Sequence, residues 1–224
     1  MFHEVISVQS VKKSFQDASR SIDVLKDVSF SVSPGETLAI VGRSGSGKST
    51  LLSLLAGLEN PDFGSIQILG KTLHKMDERQ KAQFRREHIG IVFQQFHLLD
   101  HLSALENVAL PLELAKRNGA SQIATEALEN VGLKSRVHHR PSQLSGGECQ
   151  RVALARAMVM NPDLVLADEP SGSLDEETGM MVMNQLFEMQ AKKKSALILV
   201  THSEALAKRC SRQLKLEFGT AKYL

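Results

Sequence analysis

Thr37-Leu38-Ala39-Ile40-Val41-Gly42-Arg43-Ser44-Gly45-Ser46-Gly47-Lys48-Ser49-Thr50 is the stretch that decides the fold. Its first five residues have the length and apolar character of a buried strand, and residues 48–56 carry the apolar spacing of a helix. Between them, residues 42–49 satisfy G-x-x-x-x-G-K-[ST] in full, in the strand–loop–helix context that gives the pattern its meaning. Glycines let the backbone curl so that its N–H groups converge on phosphate oxygens. The helix that follows adds its positive N-terminal end. On this reading Gly42, Arg43, Ser44, Gly45, Ser46 and Gly47 form a phosphate cradle. Lys48 reaches the β- and γ-phosphates, the Ser49 hydroxyl ligates Mg²⁺, and Thr50 meets the α-phosphate side. The bland alternative is a Gly/Ser surface turn, and the flanking strand and helix weigh against it.

Outward from the loop, short apolar strands alternate with helical stretches. Residues 5–11 and 22–32 alternate polar and apolar, as in a half-exposed antiparallel sheet. Pro34-Gly35 marks a turn, and strands fit 65–69 and 89–93. The pattern becomes helical from 103 to about 132, with Ser121 a candidate cap for a helix over 122–130. A helix follows Ser145-Gly146-Gly147 to about Met160 and is stopped by Asn161-Pro162. Strands return at 164–167 and 196–201 with a helix between them. The chain then reads as a helix near 204–210 and a strand near 213–218. Alternating strands and helices predict an α/β core with a parallel sheet. An antiparallel β-subdomain lies at the N-terminus, and residues 95–162 form an inserted α-helical subdomain.

At 224 residues and 42% apolar content, the chain has room for one sizeable domain with a buried core. A formal charge of +2 with both signs interspersed does not call for nucleic acid as a partner. Arg85-Arg86 and Lys192-Lys193-Lys194 read as solvated helix ends and turns. Cys149 and Cys210 form no C-x-x-C pair, which argues against a disulfide framework or zinc site and fits reduced, cytoplasmic thiols. The N-terminal stretch has an early acid and no long apolar run, so no signal peptide is expected. No segment approaches the ~20 apolar residues of a membrane helix, so a membrane role needs a second polypeptide to cross the bilayer.

Leu164-Val165-Leu166-Ala167-Asp168-Glu169 is an apolar strand ending in two acids. Such a strand delivers Asp168 to the carboxyl edge of a parallel sheet, where nucleotide sites collect. Asp168 then holds Mg²⁺, directly or through water. Glu169 is placed to polarise an attacking water as general base. Alone the motif is weak, because strands ending in acids are common; beside a phosphate loop it is strong.

The motif that narrows the family is Leu144-Ser145-Gly146-Gly147-Glu148, followed by Gln150-Arg151 and a helix, ahead of the acidic strand. It resembles the signature sequence of ATP-binding cassette (ABC) ATPases, a branch of the P-loop NTPases. The remaining motifs stand in that family's order. Gln94, directly after Ile91-Val92-Phe93, resembles the Q-loop glutamine, implied to contact Mg²⁺ and nucleotide. Ser173-Leu174-Asp175 resembles the D-loop. His202, after the strand ending at Thr201, resembles the switch histidine, and Phe15 the aromatic that stacks on adenine, although core packing is its other reading. The resemblance spans nearly the whole chain. It implies a head-to-tail homodimer, in which Ser145, Gly147 and Glu148 of one subunit face the ATP on the phosphate loop of the other. ATP joins the subunits, and hydrolysis with Lys48, Glu169 and His202 as catalytic residues loosens them.

Within the family the chain is most similar to the small ATPases of the lipoprotein-release and MacB-type efflux group (LolD- and YbbA-like subunits). The likeness rests on Glu36, Gly90-Ile91-Val92-Phe93-Gln94, Leu105-Glu106-Asn107-Val108-Ala109-Leu110-Pro111, His139-Arg140-Pro141, Ala167-Asp168-Glu169-Pro170, and Glu148 in place of the commoner glutamine. It implies an ATPase peripheral to the cytoplasmic face of the inner membrane, driving an integral permease in lipoprotein release, efflux or mechanotransmission. The alternative is a cell-division or regulatory cassette acting on a membrane partner without transport. Residues 96–112 either form a groove for a cytoplasmic helix of that partner or pack within the helical subdomain. Departures from the family pattern are Cys149, Ser171-Gly172-Ser173 for Thr-Gly-Asn, and Ser203 for Asp. A soluble DNA-repair or translation cassette and a nucleotide kinase are the distant rivals. The first lacks its usual coiled-coil, zinc or fused modules here, and the second does not account for the signature.

Overall fold

The computed structural model describes residues 4–17 and 20–224. Its strands are β1 (Ile6–Asp17), β2 (Arg20–Val32), β3 (Thr37–Val41), β4 (Phe63–Ile68), β5 (Lys71–Thr72), β6 (Ile89–Phe93), β7 (Leu164–Asp168), β8 (Ala196–Val200), β9 (Arg212–Glu217) and β10 (Thr220–Tyr223). Its α-helices are α1 (Lys48–Leu55), α2 (Glu78–His88), α3 (Ala104–Leu114), α4 (Ala120–Asn130), α5 (Gly146–Met158), α6 (Glu176–Lys193) and α7 (Glu204–Ala207). The chain divides into two compact units, Met1–Arg85 with Ala196–Leu224, and Arg86–Ser195.

The first unit holds strands in the order β5-β4-β1-β2-β10-β9-β3-β8. β1 pairs antiparallel with both β2 and β4, whereas β3 lies parallel between β8 and β9. The sequence explains the change of character. β8 reads Ala-Leu-Ile-Leu-Val and is buried at all five positions, as a parallel strand covered on both faces must be. β1 and β2 carry polar residues at alternate positions and leave one face to solvent. Glu36, just before β3, ties this sheet together. It accepts from Arg212 at 2.7 Å and from the Ser33 amide at 2.8 Å, while the Arg212 guanidinium lies 4.4 Å from the centre of the Tyr223 ring.

In the second unit β6 and β7 run parallel, from Ile89 opposite Leu164 to Phe93 opposite Asp168. Gly90 is obligatory there, because a Cβ would strike the Ala157 carbonyl on α5. Helices α3, α4 and α5 enclose a core of Val108, Leu112, Leu128, Val152 and Val159 with smaller residues between them. α3 begins with a capping box in which Ser103 and Glu106 satisfy each other's backbone N–H groups. Asn107, fully buried on the same helix, accepts from the Leu99 amide and donates to the carbonyls of Leu99, Leu102 and Ser103.

The mixed α/β class expected from the sequence is the one observed, and β3, β6 and the start of α1 fall at the expected residues. Other boundaries shift. The helical run from 103 is two helices broken at Lys116, where φ is +53°, and the second is capped by Gly119 (φ +73°) rather than Ser121, which lies inside its first turn. The helix after residue 203 is a single turn ending at Ala207. α2 and the hairpin strand β10 had no counterpart in the sequence reading.

Candidate functional site

Residues 42–50 leave β3 and enter α1, and the loop is shaped by its surroundings. A Cβ on Gly42 would collide with the Leu216 carbonyl of β9, and one on Gly47 would press on Leu25 and Val24. Gly45 and Gly47 take φ of +76° and +98°, values that glycine adopts without strain. Gly47 is also the N-cap of α1, with no side-chain acceptor and no acid in the first turn of the helix. The first-turn N–H groups, including those of Ser49 and Thr50, are thus oriented toward an external anion rather than capped internally. The Ser46 hydroxyl is buried without a hydrogen-bond partner among the described residues. Lys48 is only 8% exposed, and its ammonium donates to the carbonyls of Gly42 (2.8 Å) and Arg43 (2.9 Å), closing the loop around a positive charge. Together these features fit a phosphate chain.

Two clefts of the same unit flank the loop. One, of about 380 Å³, is lined by Arg43, Ser44, Gly45 and Ser46 on one side and by Ile22, Val24 and Phe218 on the other. Phe15 is the cross-strand partner of Ile22, 41% exposed, with the Lys13 ammonium 5.2 Å from its ring centre. The second, of about 540 Å³, brings His202 to the same wall as Val41, Gly42 and Arg43. Ser203 accepts from the Leu206 amide and caps α7, so serine performs there the capping task open to an aspartate.

In the other unit, Asp168 ends β7 opposite Phe93, and Glu169 follows with φ +44°. A non-glycine residue held in the left-handed region stores of order 1–2 kcal/mol of strain, a state that collects at functional positions. Gln94 packs against Gly172, where a Cβ would lie 2.9 Å from its amide nitrogen, and its carbonyl accepts from the Ser173 hydroxyl at 3.0 Å. The Ser171-Gly172-Ser173 departure therefore has a structural role beside the glutamine. Asp175 caps α6 through the Thr178 amide at 2.9 Å, and that backbone bond lowers its carboxyl pKa.

Ser145 caps α5 in a capping box with Glu148. A Cβ on Gly147 would meet the Thr178 methyl, so any side chain there would displace Thr178. Cys149 is buried with its thiol 3.6 Å from the Pro141 carbonyl, and burial raises its pKa.

Two residues of α5 have tasks the sequence does not show: Gln150, which the sequence places only in the signature run, and Arg156. Gln150, fully buried, donates to the Phe93 carbonyl at 3.2 Å. Arg156 donates to the carbonyls of Phe96 (2.8 Å) and His97 (2.6 Å), two successive residues with positive φ. They hold the backbone on both sides of Gln94. A glutamine and an arginine on a predicted helix carry no signal of that task.

The family model for ABC transporters matches residues 25–172, which include the phosphate loop, the signature and the acidic strand. Two solved structures of the cassette MJ0796 superpose over nearly the full length. One, described as the dimeric structure of a post-hydrolysis state bound to ADP and Pi, is 36% identical, covers 98% of each chain and has a TM-score of 0.89. The other, described as the dimeric structure of a bacterial ABC transporter cassette, is 37% identical with the same coverage and a TM-score of 0.88. This chain belongs to the ABC transporter family, as its ATP-hydrolysing cassette. No helix among the described residues is long and apolar enough to cross a membrane.

Proposed function

We propose that the protein works as a head-to-tail homodimer that sandwiches two ATP molecules and drives an integral membrane permease of the lipoprotein-release or MacB-type efflux group. The observation that carries this reading is the pair of dissimilar helix N-termini. α1 begins without a cap beneath the phosphate loop, whereas α5 begins at Ser145-Gly146-Gly147 in a capping box with Glu148, away from that loop in sequence. A signature turn separate from the phosphate loop makes sense where a nucleotide held by one copy is completed by the other. The dimeric structures of MJ0796 support a cassette that works as a dimer.

On this reading residues 42–47, Lys48 and Thr50 bind the phosphates, Phe15 stacks beside the base, and Asp175 stands at the dimer seam. Ser49, Gln94 and Asp168 would hold Mg²⁺. These are hard oxygen donors of the kind it prefers, and no cluster of three His, Cys, Asp or Glu side chains among the described residues offers a dedicated metal cage. When bound, the ion offsets phosphate charge and polarises the γ-phosphoryl group. Glu169 polarises the attacking water, whose proton it accepts as the β–γ bond breaks to ADP and Pi. Lys48 and His202 hold the γ-phosphate as charge shifts toward the leaving oxygen. Ser145 and the Gly147 amide of the partner complete the cradle, so ATP shifts the population toward the closed dimer.

Glu169→Gln is expected to trap an ATP-bound dimer in size-exclusion chromatography, and Ser145→Arg to abolish that dimer while leaving ATP binding to the monomer. A Glu169→Gln protein that stays monomeric with ATP, or an unchanged hydrolysis rate in Ser145→Arg, overturns the sandwich. Stable copurification with a permease encoded beside it supports the transport branch; full cellular function without a membrane partner overturns it.

A further inference from the structure

Glu148 places a carboxylate in the first turn of α5, at the helix end that the proposed sandwich presents to a partner's γ-phosphate. The phosphate loop helix has no acid in its first turn, so the two helix termini that the proposed sandwich brings to nucleotide differ in charge. Glu148 Oε2 accepts from the Ser145 amide at 2.8 Å, and the Glu148 amide donates to Ser145 Oγ at 3.2 Å. The other oxygen, Oε1, accepts from Arg136 Nε at 3.0 Å. Arg136 comes from the short turn Lys134–Arg136 that follows α4, and its Nη1 lies 3.3 Å from His139 Nε2. The Ser145 amide, foremost, and then the Arg136 guanidinium hold the Glu148 carboxyl below its usual pKa, so it remains an anion in the working pH range.

We infer that Arg136 is a positioning residue of the signature site: it neutralises Glu148 and fixes its carboxylate on Ser145, so that an acidic signature accepts a triphosphate. The inference rests on the sandwich reading. Without the guanidinium, a full negative charge stands within one helical turn of the incoming γ-phosphate, and repulsion at that distance opposes association. Arg136 acts through Glu148.

The test uses Glu169→Gln protein, in which the ATP-bound dimer is measured by sedimentation velocity. Adding Arg136→Ala is expected to weaken ATP-driven association about fivefold, the upper range of a partly exposed ion pair. The deficit shrinks as salt rises from 0.05 to ~0.5 M, because charge repulsion is screened. Arg136→Lys retains most of the association. Glu148→Gln combined with Arg136→Ala restores it, since the amide keeps the capping bond and sheds the charge. A lost structural contact predicts neither the salt dependence nor the rescue. If Arg136→Ala associates like its parent, or is weakened equally at all salt concentrations and not rescued, the inference falls while the sandwich stands. If Ser145→Arg in the same background still dimerises with ATP, the sandwich falls first and takes the inference with it. Thermal melts of each variant identify any that fail to fold, in which case Arg136→Lys against Arg136→Gln decides.

Discussion

Lys48 and Glu169 are costly residues, each held where an ordinary side chain would not stay. An ammonium that is 8% exposed is tolerated because two loop carbonyls accept from it. Lys48→Ala is expected to lower the hydrolysis rate by about 10²–10³, the loss typical of one preorganised electrostatic contact. A phosphate-release assay at saturating ATP reads it. At Glu169 the φ of +44° separates chemistry from backbone cost. Glu169→Gly and Glu169→Ala should be equally inactive, yet the glycine variant should be more stable by about 1 kcal/mol, because alanine keeps the left-handed penalty and glycine does not. Urea denaturation of the two proteins measures the difference.

At the scale of elements, α3 shows how a helix anchors a loop. Asn107→Leu preserves size but leaves the backbone groups of residues 99–103 without their buried partner. The expected loss is about 1–3 kcal/mol, seen as a lower midpoint in thermal denaturation. The capping box at its start carries a pH signature. Glu106 is held below its ordinary pKa, first by the Ser103 backbone and then by the Ser103 hydroxyl. A depressed carboxyl contributes stability above its unfolded pKa, and that contribution disappears as pH falls through the carboxylate range toward the folded value. Glu106→Gln should therefore flatten the acid limb of the stability curve, followed by melting temperature from pH 7 down to pH 3. Elements whose residues carry their own instructions were legible: the apolar runs of β3, β6 and β8, and the loop over residues 42–49. α2 was not, because Glu78–His88 is almost wholly charged and polar and its buried Phe84 gives no periodic stripe. Nor was β10, a short strand held by its hairpin partner β9 and by distant β2.

Across the whole chain, the site motifs were readable because each sets a fixed residue type at a fixed spacing, as the proposed chemistry requires. Their supports were not, since Gln150, Arg156 and Ser173 act on carbonyls from distant sequence. The two cysteines follow the same division. Burial explains them both, and it pushes the Cys210 thiol up to about 11. Neither should react with a disulfide reagent at pH 8 until the protein unfolds, so absorbance during a urea titration should rise along with loss of helical signal. The contact of Gly42 with Leu216 bears on how the protein is made. Residues 42 and 216 lie 174 positions apart, and β3 finds both its sheet neighbours, β8 and β9, only near the far end of the chain. A ribosome therefore releases the phosphate loop long before the strand that backs it exists. The nascent chain is expected to gain its grip on nucleotide only after β8 and β9 have emerged.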